Sequence, residues 1–91
     1  MKKCVRLYLV GSVQAFSFPQ FIKENAEANR VKGFVRKLED GRAEILLEGQ
    51  SQDVDAMIEI CKQGPKYSII RGVEMKEERL QDFTEFKIIK F

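Results

Sequence analysis

The sequence predicts an α+β fold in the order β-α-β-β-α-β, followed by one further strand. Two observations predict it: short segments alternate apolar and polar residues, and two longer segments place apolar residues every three or four positions. Because crossovers between strands of one sheet are right-handed, both helices should cover one face of a mostly antiparallel sheet. The length of 91 residues fits one domain, residues 1–91.

The first strand is predicted over residues 4–10, where Val5, Leu7 and Leu9 share one face. A loop containing glycine and serine, residues 11–19, connects this strand to the first helix. Backbone N–H groups can converge on an anion where a strand turns into a helix. We therefore expect a functional site to lie in this loop.

The first helix is predicted over residues 19–29. Ser17 is its expected N-cap, and Gln20, three residues later, would complete a capping box. Pro19 falls in the first turn, where a missing N–H is tolerated. The inward face follows three- and four-residue spacing and consists of Phe18, Phe21, Ile22, Asn25, Ala26 and Asn29.

The second and third strands are predicted over residues 31–38 and 42–48, and Asp40-Gly41 is a strong signal for a tight turn between them. Gly49 is expected to end the third strand. Ser51 should then cap a second helix, which ends at the Gly64-Pro65 pair. The remaining segments are a fourth strand over 67–76 with a bulge at Gly72, a polar loop over 75–82, and a final strand over 83–91.

This element order is the ferredoxin-like arrangement, with two helices on one face of the sheet. The other face should be open and should carry the apolar side chains of Tyr8, Phe34, Leu38 and Leu46. Because an exposed apolar patch favours association, we expect a monomer or a weak homodimer.

The composition excludes several kinds of chemistry. The chain has no histidine, so Ser-His-Asp, Cys-His and histidine-metal sites are excluded. Cys4 and Cys61 lack metal-ligand spacing, and we expect both to be small core or edge residues. No metal and no cofactor are expected. The net charge of +2 is too small to indicate nucleic-acid binding, so no nucleic-acid partner is expected.

Neither a membrane span nor a signal peptide is indicated. No apolar run approaches the ~20 residues that a membrane span needs, and Arg6 interrupts any apolar core of a signal peptide. We therefore predict a cytoplasmic protein with reduced thiols and no membrane association.

Two motifs of the chain resemble those of a known family. Residues 11–19 read G-S-V-Q-A-F-S-F-P, which is similar to the first acylphosphatase signature, G-x-V-Q-G-V-x-F-R. The second signature begins G-aromatic-V-basic-N and continues through two further glycines. Residues 33–49 resemble it, reading G-F-V-R-K and placing those glycines at Gly41 and Gly49. The resemblance spans nearly the whole chain. It implies a ferredoxin-like fold and hydrolysis of acyl phosphates to a carboxylate and phosphate.

The resemblance also implies the site residues. In the family, the arginine that closes the first signature grips the phosphoryl group, and this position is Pro19 here. The family asparagine that orients the attacking water is Lys37 here, and a loop glycine is replaced. The implied phosphate-binding loop consists of Gln14, Ala15, Phe16, Ser17 and Phe18.

These replacements predict weak or absent catalysis. Acyl phosphate hydrolysis without a metal or covalent nucleophile depends on positioning and charge stabilisation. Proline cannot supply the two parallel donors of a guanidinium, and a charged lysine cannot accept a proton from water. One such loss commonly costs ~3 kcal/mol of transition-state stabilisation, and two independent losses would lower the rate ~10⁴-fold.

Three alternatives remain open at this point. The chain could be a working acylphosphatase that uses Lys37 and loop N–H groups, or a module that binds phosphate, another small anion or a protein without chemistry. RNA bases stacking on Tyr8 and Phe34 are a third alternative. Arg6 and Lys23 are further cations whose distance from the loop the sequence leaves undetermined.

Overall fold

The structure is a computed structural model and describes residues 1–13 and 17–91. Its strands form one five-stranded sheet in the order β4-β1-β3-β2-β5. The elements are β1 (Lys2–Gly11), α1 (Phe18–Ala28), β2 (Lys32–Lys37), β3 (Ala43–Gln50), α2 (Ser51–Gln63), β4 (Ile70–Glu78) and β5 (Phe86–Ile89).

The pairing of the strands confirms the ferredoxin-like fold. β1 lies between β3 and β4 and is antiparallel to both, and β2 is antiparallel to β3. The added strand β5 pairs parallel to β2, which makes the sheet mixed. In the part of the chain that the structure describes, neither helix is long and apolar enough to cross a membrane.

The core lies between the sheet and the two helices. Side chains from β1 and β3 that alternate along each strand, such as Leu7 and Ile45, are fully buried. They pack in one cluster with Phe18 and Ile22 of α1 and with Met57 of α2. The predicted inward face of α1, together with α2, therefore covers the predicted face of the sheet.

Several predicted strand boundaries were wrong. β3 continues through Gly49 to Gln50, and β4 covers residues 70–78 rather than 67–76, so residues 77 and 78 are strand rather than loop. Backbone pairing with β1 extends to the Cys4–Glu78 pair, and an edge strand tolerates charged side chains because they stay in water. The last strand covers only residues 86–89 of the predicted range 83–91, because residues 83–85 belong to the segment that connects β4 to β5.

The predicted caps do not form. Ser17 precedes α1 with helical backbone angles and makes no side-chain capping hydrogen bond, whereas a capping serine needs an extended backbone. Ser51 is the first residue of α2, and the N-cap position is Gln50. The irregularity predicted at Gly72 is present, since the β1–β4 register shifts by one residue there and leaves Arg71 as the extra residue.

The face of the sheet that carries no helix is covered by charged side chains. Leu46 is fully buried there, so the predicted exposed apolar patch was wrong. Arg6 donates to Glu78 Oε1 at 2.9 Å and to Glu44 Oε2 at 2.5 Å. Arg36 forms an ion pair with Glu44 from the neighbouring strand. Leu46 lies between Arg6 of β1 and Phe34 of β2 in the strand register, beneath this group of charged side chains.

A connecting segment also crosses the helix-free face. We call residues 79–85 the strap, because they lead from β4 at one edge of the sheet to β5 at the other. Phe83 of the strap packs edge-on against Phe34, with ring centres 6.1 Å apart. Nearby, the Arg42 guanidinium lies 4.7 Å from the centre of the Tyr8 ring. Both aromatic residues of the predicted patch therefore have a covering side chain.

Both cysteine thiols are expected to be unreactive in the folded protein. Burial raises the pKa of Cys61 to about 12, and burial together with Glu48 and Glu78 raises the pKa of Cys4 to about 11. Since only the thiolate reacts, labelling at pH 8 should be at least ~100-fold slower than for a free thiol. Colorimetric thiol titration should detect two thiols in urea and none within minutes in buffer. Rapid native labelling would contradict the burial of these side chains.

The ion pair between Arg6 and Glu78 should make the free energy of unfolding depend on pH in the acidic range. The side-chain hydrogen bond from Arg6 holds the pKa of Glu78 below its usual value. The stabilisation is therefore complete above the unfolded pKa, near 4.5, and is lost as the pH falls through the folded pKa. Glu78→Gln should lower the free energy of unfolding by ~1 kcal/mol at pH 7, and this effect should decrease as the pH falls below about 4.5. Urea titrations check this, with the exposed neighbour Glu77→Gln as control.

Candidate functional site

The loop begins in a backbone conformation that requires glycine. Gly11 ends β1 with φ 139°, and a Cβ there would lie 2.2 Å from the carbonyl oxygen of Ile69. The next N–H, from Ser12, donates to that same carbonyl at 2.7 Å. Val13 follows and is fully buried. The first part of the loop is therefore anchored to the chain that leads into β4.

The predicted loop residues Gln14, Ala15 and Phe16 lie outside the described residues. Beyond them, Ser17 accepts a backbone hydrogen bond from Phe21 at 2.9 Å, and α1 starts at Phe18.

Pro19 lies in the first turn of α1, as predicted. A proline here fits the helix, because an N–H in the first turn has no partner within the helix. It offers neither a backbone N–H nor a charged side chain. Next to it, the ring of Phe18 is fully buried in the core. The position is thus well formed for helix packing and has no donor for an anion.

Lys37 is the last residue of β2 and pairs with Ala43 of β3. Strand alternation places it on the same face as Val35, which is the helix side, and it is half-buried. Arg36 lies on the opposite face and is paired with Glu44, as the alternation predicts. The end of β2 therefore directs one amine toward the side of the sheet where α1 begins.

Two residues that the sequence did not assign to the site complete this region. The Lys37 N–H donates to the carbonyl of Lys90 at 3.1 Å. The Phe91 ring stacks on Phe18, with ring centres 5.8 Å apart. A cavity of about 220 Å³ is lined by Lys37, Leu38, Glu39, Lys90 and Phe91.

The placement of Phe91 corrects a prediction. Alternation along the predicted final strand, residues 83–91, predicts that Phe91 shares a face with Lys87 and Ile89, which lie on the helix-free face. Lys90 has φ 49°, however, and this turns the chain after β5, so that Phe91 reaches α1. No sequence signal marks this turn, because a positive φ at a lysine is uncommon.

Three arginines, Arg6, Arg30 and Arg36, form their ion pairs away from this region, whereas Arg42 lies beside it in the β2–β3 turn. Arg6 and Arg36 lie on the helix-free face, and Arg30 reaches Asp53 at the start of α2 at 3.3 Å. Arg42 is paired with Asp40 at 2.8 Å in the β2–β3 turn. Its hydrogen bonds, the backbone N–H first, hold the pKa of Asp40 below its usual value.

Of three further cations, Arg71, Arg79 and Lys23, only Arg71 is placed beside the start of the loop. Arg71 is exposed, and its backbone nitrogen lies beside Gly11 at the bulge. Arg79 is exposed in the strap, and Lys23 pairs with Glu27 along α1 at 3.8 Å. Within residues 1–13 and 17–91, no ion pair joins any arginine to a partner that lines the Lys37 cavity.

Comparison with known proteins agrees with this architecture. The chain matches the acylphosphatase family over residues 5–88. It therefore belongs to the acylphosphatase family. It is 42% identical over 76 residues to an acylphosphatase of Rubrobacter xylanophilus, covering 84% of this chain and 69% of that one. It is 37% identical to an acylphosphatase of Syntrophus aciditrophicus, covering 98% and 94% of the two chains.

The same fold occurs in solved structures of the family. The acylphosphatase from Bacillus subtilis superposes with a TM-score of 0.90 at 30% identity, covering 98% of this chain and 99% of that one. The family resemblance carried by the two sequence signatures is thereby confirmed.

Proposed function

We propose that this protein is an acylphosphatase-family domain whose hydrolysis of acyl phosphates is very slow or lost. The observation that carries the proposal is Pro19 in the first turn of α1, at the position where the first signature ends in arginine. A guanidinium there could hold two phosphoryl oxygens with a planar pair of donors. The proline ring offers the transition state no positive charge and no hydrogen bond.

The replacement at Lys37 acts in the same direction. A side-chain amide can donate to one group and accept from water at the same time, whereas a charged amine can only donate. Lys37 is therefore unsuited to orient an attacking water by accepting its proton. As a half-buried cation at the end of β2, it can attract an anion as a point charge. The site supports binding of an anion better than its hydrolysis.

Substitution of Lys37 separates this proposal from a working enzyme that relies on the lysine. We expect phosphate release from benzoyl phosphate, an aromatic acyl phosphate, to stay near the uncatalysed rate in both the wild type and Lys37→Ala. Lys62→Ala is the control, since this lysine is exposed on α2. Turnover that is present in the wild type and in the control but lost in Lys37→Ala would favour the lysine-dependent enzyme.

A non-catalytic anion-binding module is the second candidate function. The cavity lined by Lys37 and Lys90 favours it, because two lysines and one acid, Glu39, line a space of about 220 Å³ that can hold a phosphate or another small anion. A cytoplasmic monomer or weak homodimer is consistent with this role. Inorganic phosphate should then raise the melting temperature in a concentration-dependent way, and Lys37→Ala should reduce the shift. No shift in the wild type would count against this candidate.

A further inference from the structure

We propose that the strap, β5 and the two residues after it form one cooperative unit that opens before the rest of the domain unfolds, and that this opening removes the side of the Lys37 cavity formed by Lys90 and Phe91. The unit comprises residues 79–91, and we call it the latch. The proposal concerns the fold around the site, so it holds whether or not hydrolysis is retained.

The first anchor of the latch is a buried acid. Glu48 of β3 is only 5% exposed, and its carboxylate accepts three backbone hydrogen bonds from the strap. The donors are the N–H groups of Gln81 at 2.5 Å, Asp82 at 3.2 Å and Phe83 at 2.7 Å. Three N–H groups directed at one buried carboxylate make this side chain the main polar attachment of the strap.

The middle of the latch is weakly held by comparison. β5 has four residues, lies at the edge of the sheet and pairs only with β2. Among its side chains only Phe86 is buried, while Ile88 and Ile89 are 39% and 40% exposed. Elements with few buried apolar groups open at a lower free energy than the core does.

The second anchor lies at the site. The carbonyl of Lys90 accepts the N–H of Lys37, and the ring of Phe91 stacks on Phe18. Both latch residues also line the Lys37 cavity. If β5 leaves β2, this wall of the cavity leaves with it. One side of the cavity is therefore formed by the same element that Glu48 holds at the other end.

The two anchors are far apart, which makes their coupling measurable. Glu48 of β3 pairs with Lys32, at the start of β2. Lys37, at the end of β2 and beside the second anchor, lies five residues and roughly 16 Å further along the strand. Between them the N–H of Gly33 donates to the carbonyl of Glu85 at 3.1 Å. The N–H groups of Gly33 and Lys37 thus both point to the latch, whereas those of Phe34 and Arg36 point to β3 by alternation.

Amide hydrogen exchange of the intact chain tests the proposal. Glu48→Gln removes the negative charge and replaces one carboxylate oxygen, an acceptor, by an NH₂ group, which donates. The strap N–H groups then lose part of their hydrogen bonding, so the strap should open more often. We expect exchange of the Gly33 and Lys37 amides to accelerate together by about tenfold, and those of Phe34 and Arg36 to change little. Ile58→Ala, in α2, is the control for general destabilisation.

Coupling between the anchors must also act in reverse, because linkage is reciprocal. Phe91→Ala removes the contact with Phe18 and leaves Glu48 intact. It should accelerate exchange at Gln81 and Phe83, and it provides the test if Glu48→Gln fails to fold. Acceleration confined to the strap in Glu48→Gln, or to the site end in Phe91→Ala, would overturn the proposal. Equal acceleration of every amide, as expected for Ile58→Ala, would overturn it as well.

Discussion

The Pro19→Arg/Lys37→Asn double variant is expected to hydrolyse benzoyl phosphate about 10⁴-fold faster than the wild type. The arginine would add a planar, charged pair of donors at the first turn of α1, and it would also restore one backbone N–H. The asparagine would supply an amide at the end of β2 that can accept from water. Each single variant should gain about a hundredfold if the two residues act independently, and less if they act as a unit.

The control for this gain is Gln20→Arg/Lys37→Asn. It carries the same net charge as the double variant, but its arginine lies one position further along α1, where the side chain is exposed. If a guanidinium anywhere in the first turn of α1 were enough, both variants would be accelerated equally. No gain in the Pro19→Arg/Lys37→Asn protein, if it remains folded, would show that the two replacements are not what limits catalysis.

Gly33→Ala is expected to destabilise the domain by at least ~3 kcal/mol, a large part of the stability of a small domain. Gly33 has φ 138°, and a Cβ there would lie 1.8 Å from the carbonyl oxygen of Leu46. Because that oxygen belongs to the backbone of β3, relief of the clash requires separating the two strands. Urea unfolding followed by circular dichroism measures the effect, and an incompletely folded variant at 25 °C would agree with it.

Gly72→Ala is the matched control on β4. Its nearest neighbour would be the Val10 side chain at 3.7 Å, which is ordinary contact, and its φ is not in the left-handed region. This substitution should change the free energy of unfolding by less than ~1 kcal/mol, because it mainly restricts the unfolded chain. Equal destabilisation by both substitutions would contradict the packing described for β2 and β3.

Much of the fold could be predicted from the sequence because strand and helix periodicities differ. The alternation of Val5, Leu7 and Leu9 identified the buried face of β1. The charged end of β4 could not be identified, since Glu77 and Glu78 resemble a solvated loop until their pairing with β1 is known. The burial of Leu46 could not be predicted either, because the ion pairs that form around it join residues far apart in the chain.

The site could be predicted only where a motif marked it. The two signatures located Pro19 and Lys37, and the structure places them at the start of α1 and the end of β2. Lys90 and Phe91 carry no motif, and strand alternation assigned Phe91 to the wrong face. Their place at the site follows from the positive φ of Lys90, a tertiary effect that local sequence does not encode.

The proposed loss of catalysis depends on the absence of a guanidinium at the position of Pro19. The most direct test measures phosphate release from benzoyl phosphate by the wild-type protein and by the acylphosphatase from Bacillus subtilis, at equal protein concentration in one assay. We predict a kcat/KM at least ~100-fold lower for this protein, corresponding to the loss of one positioned charged donor. Rates that agree within about threefold would contradict the account, because acyl phosphate hydrolysis would then proceed without that arginine.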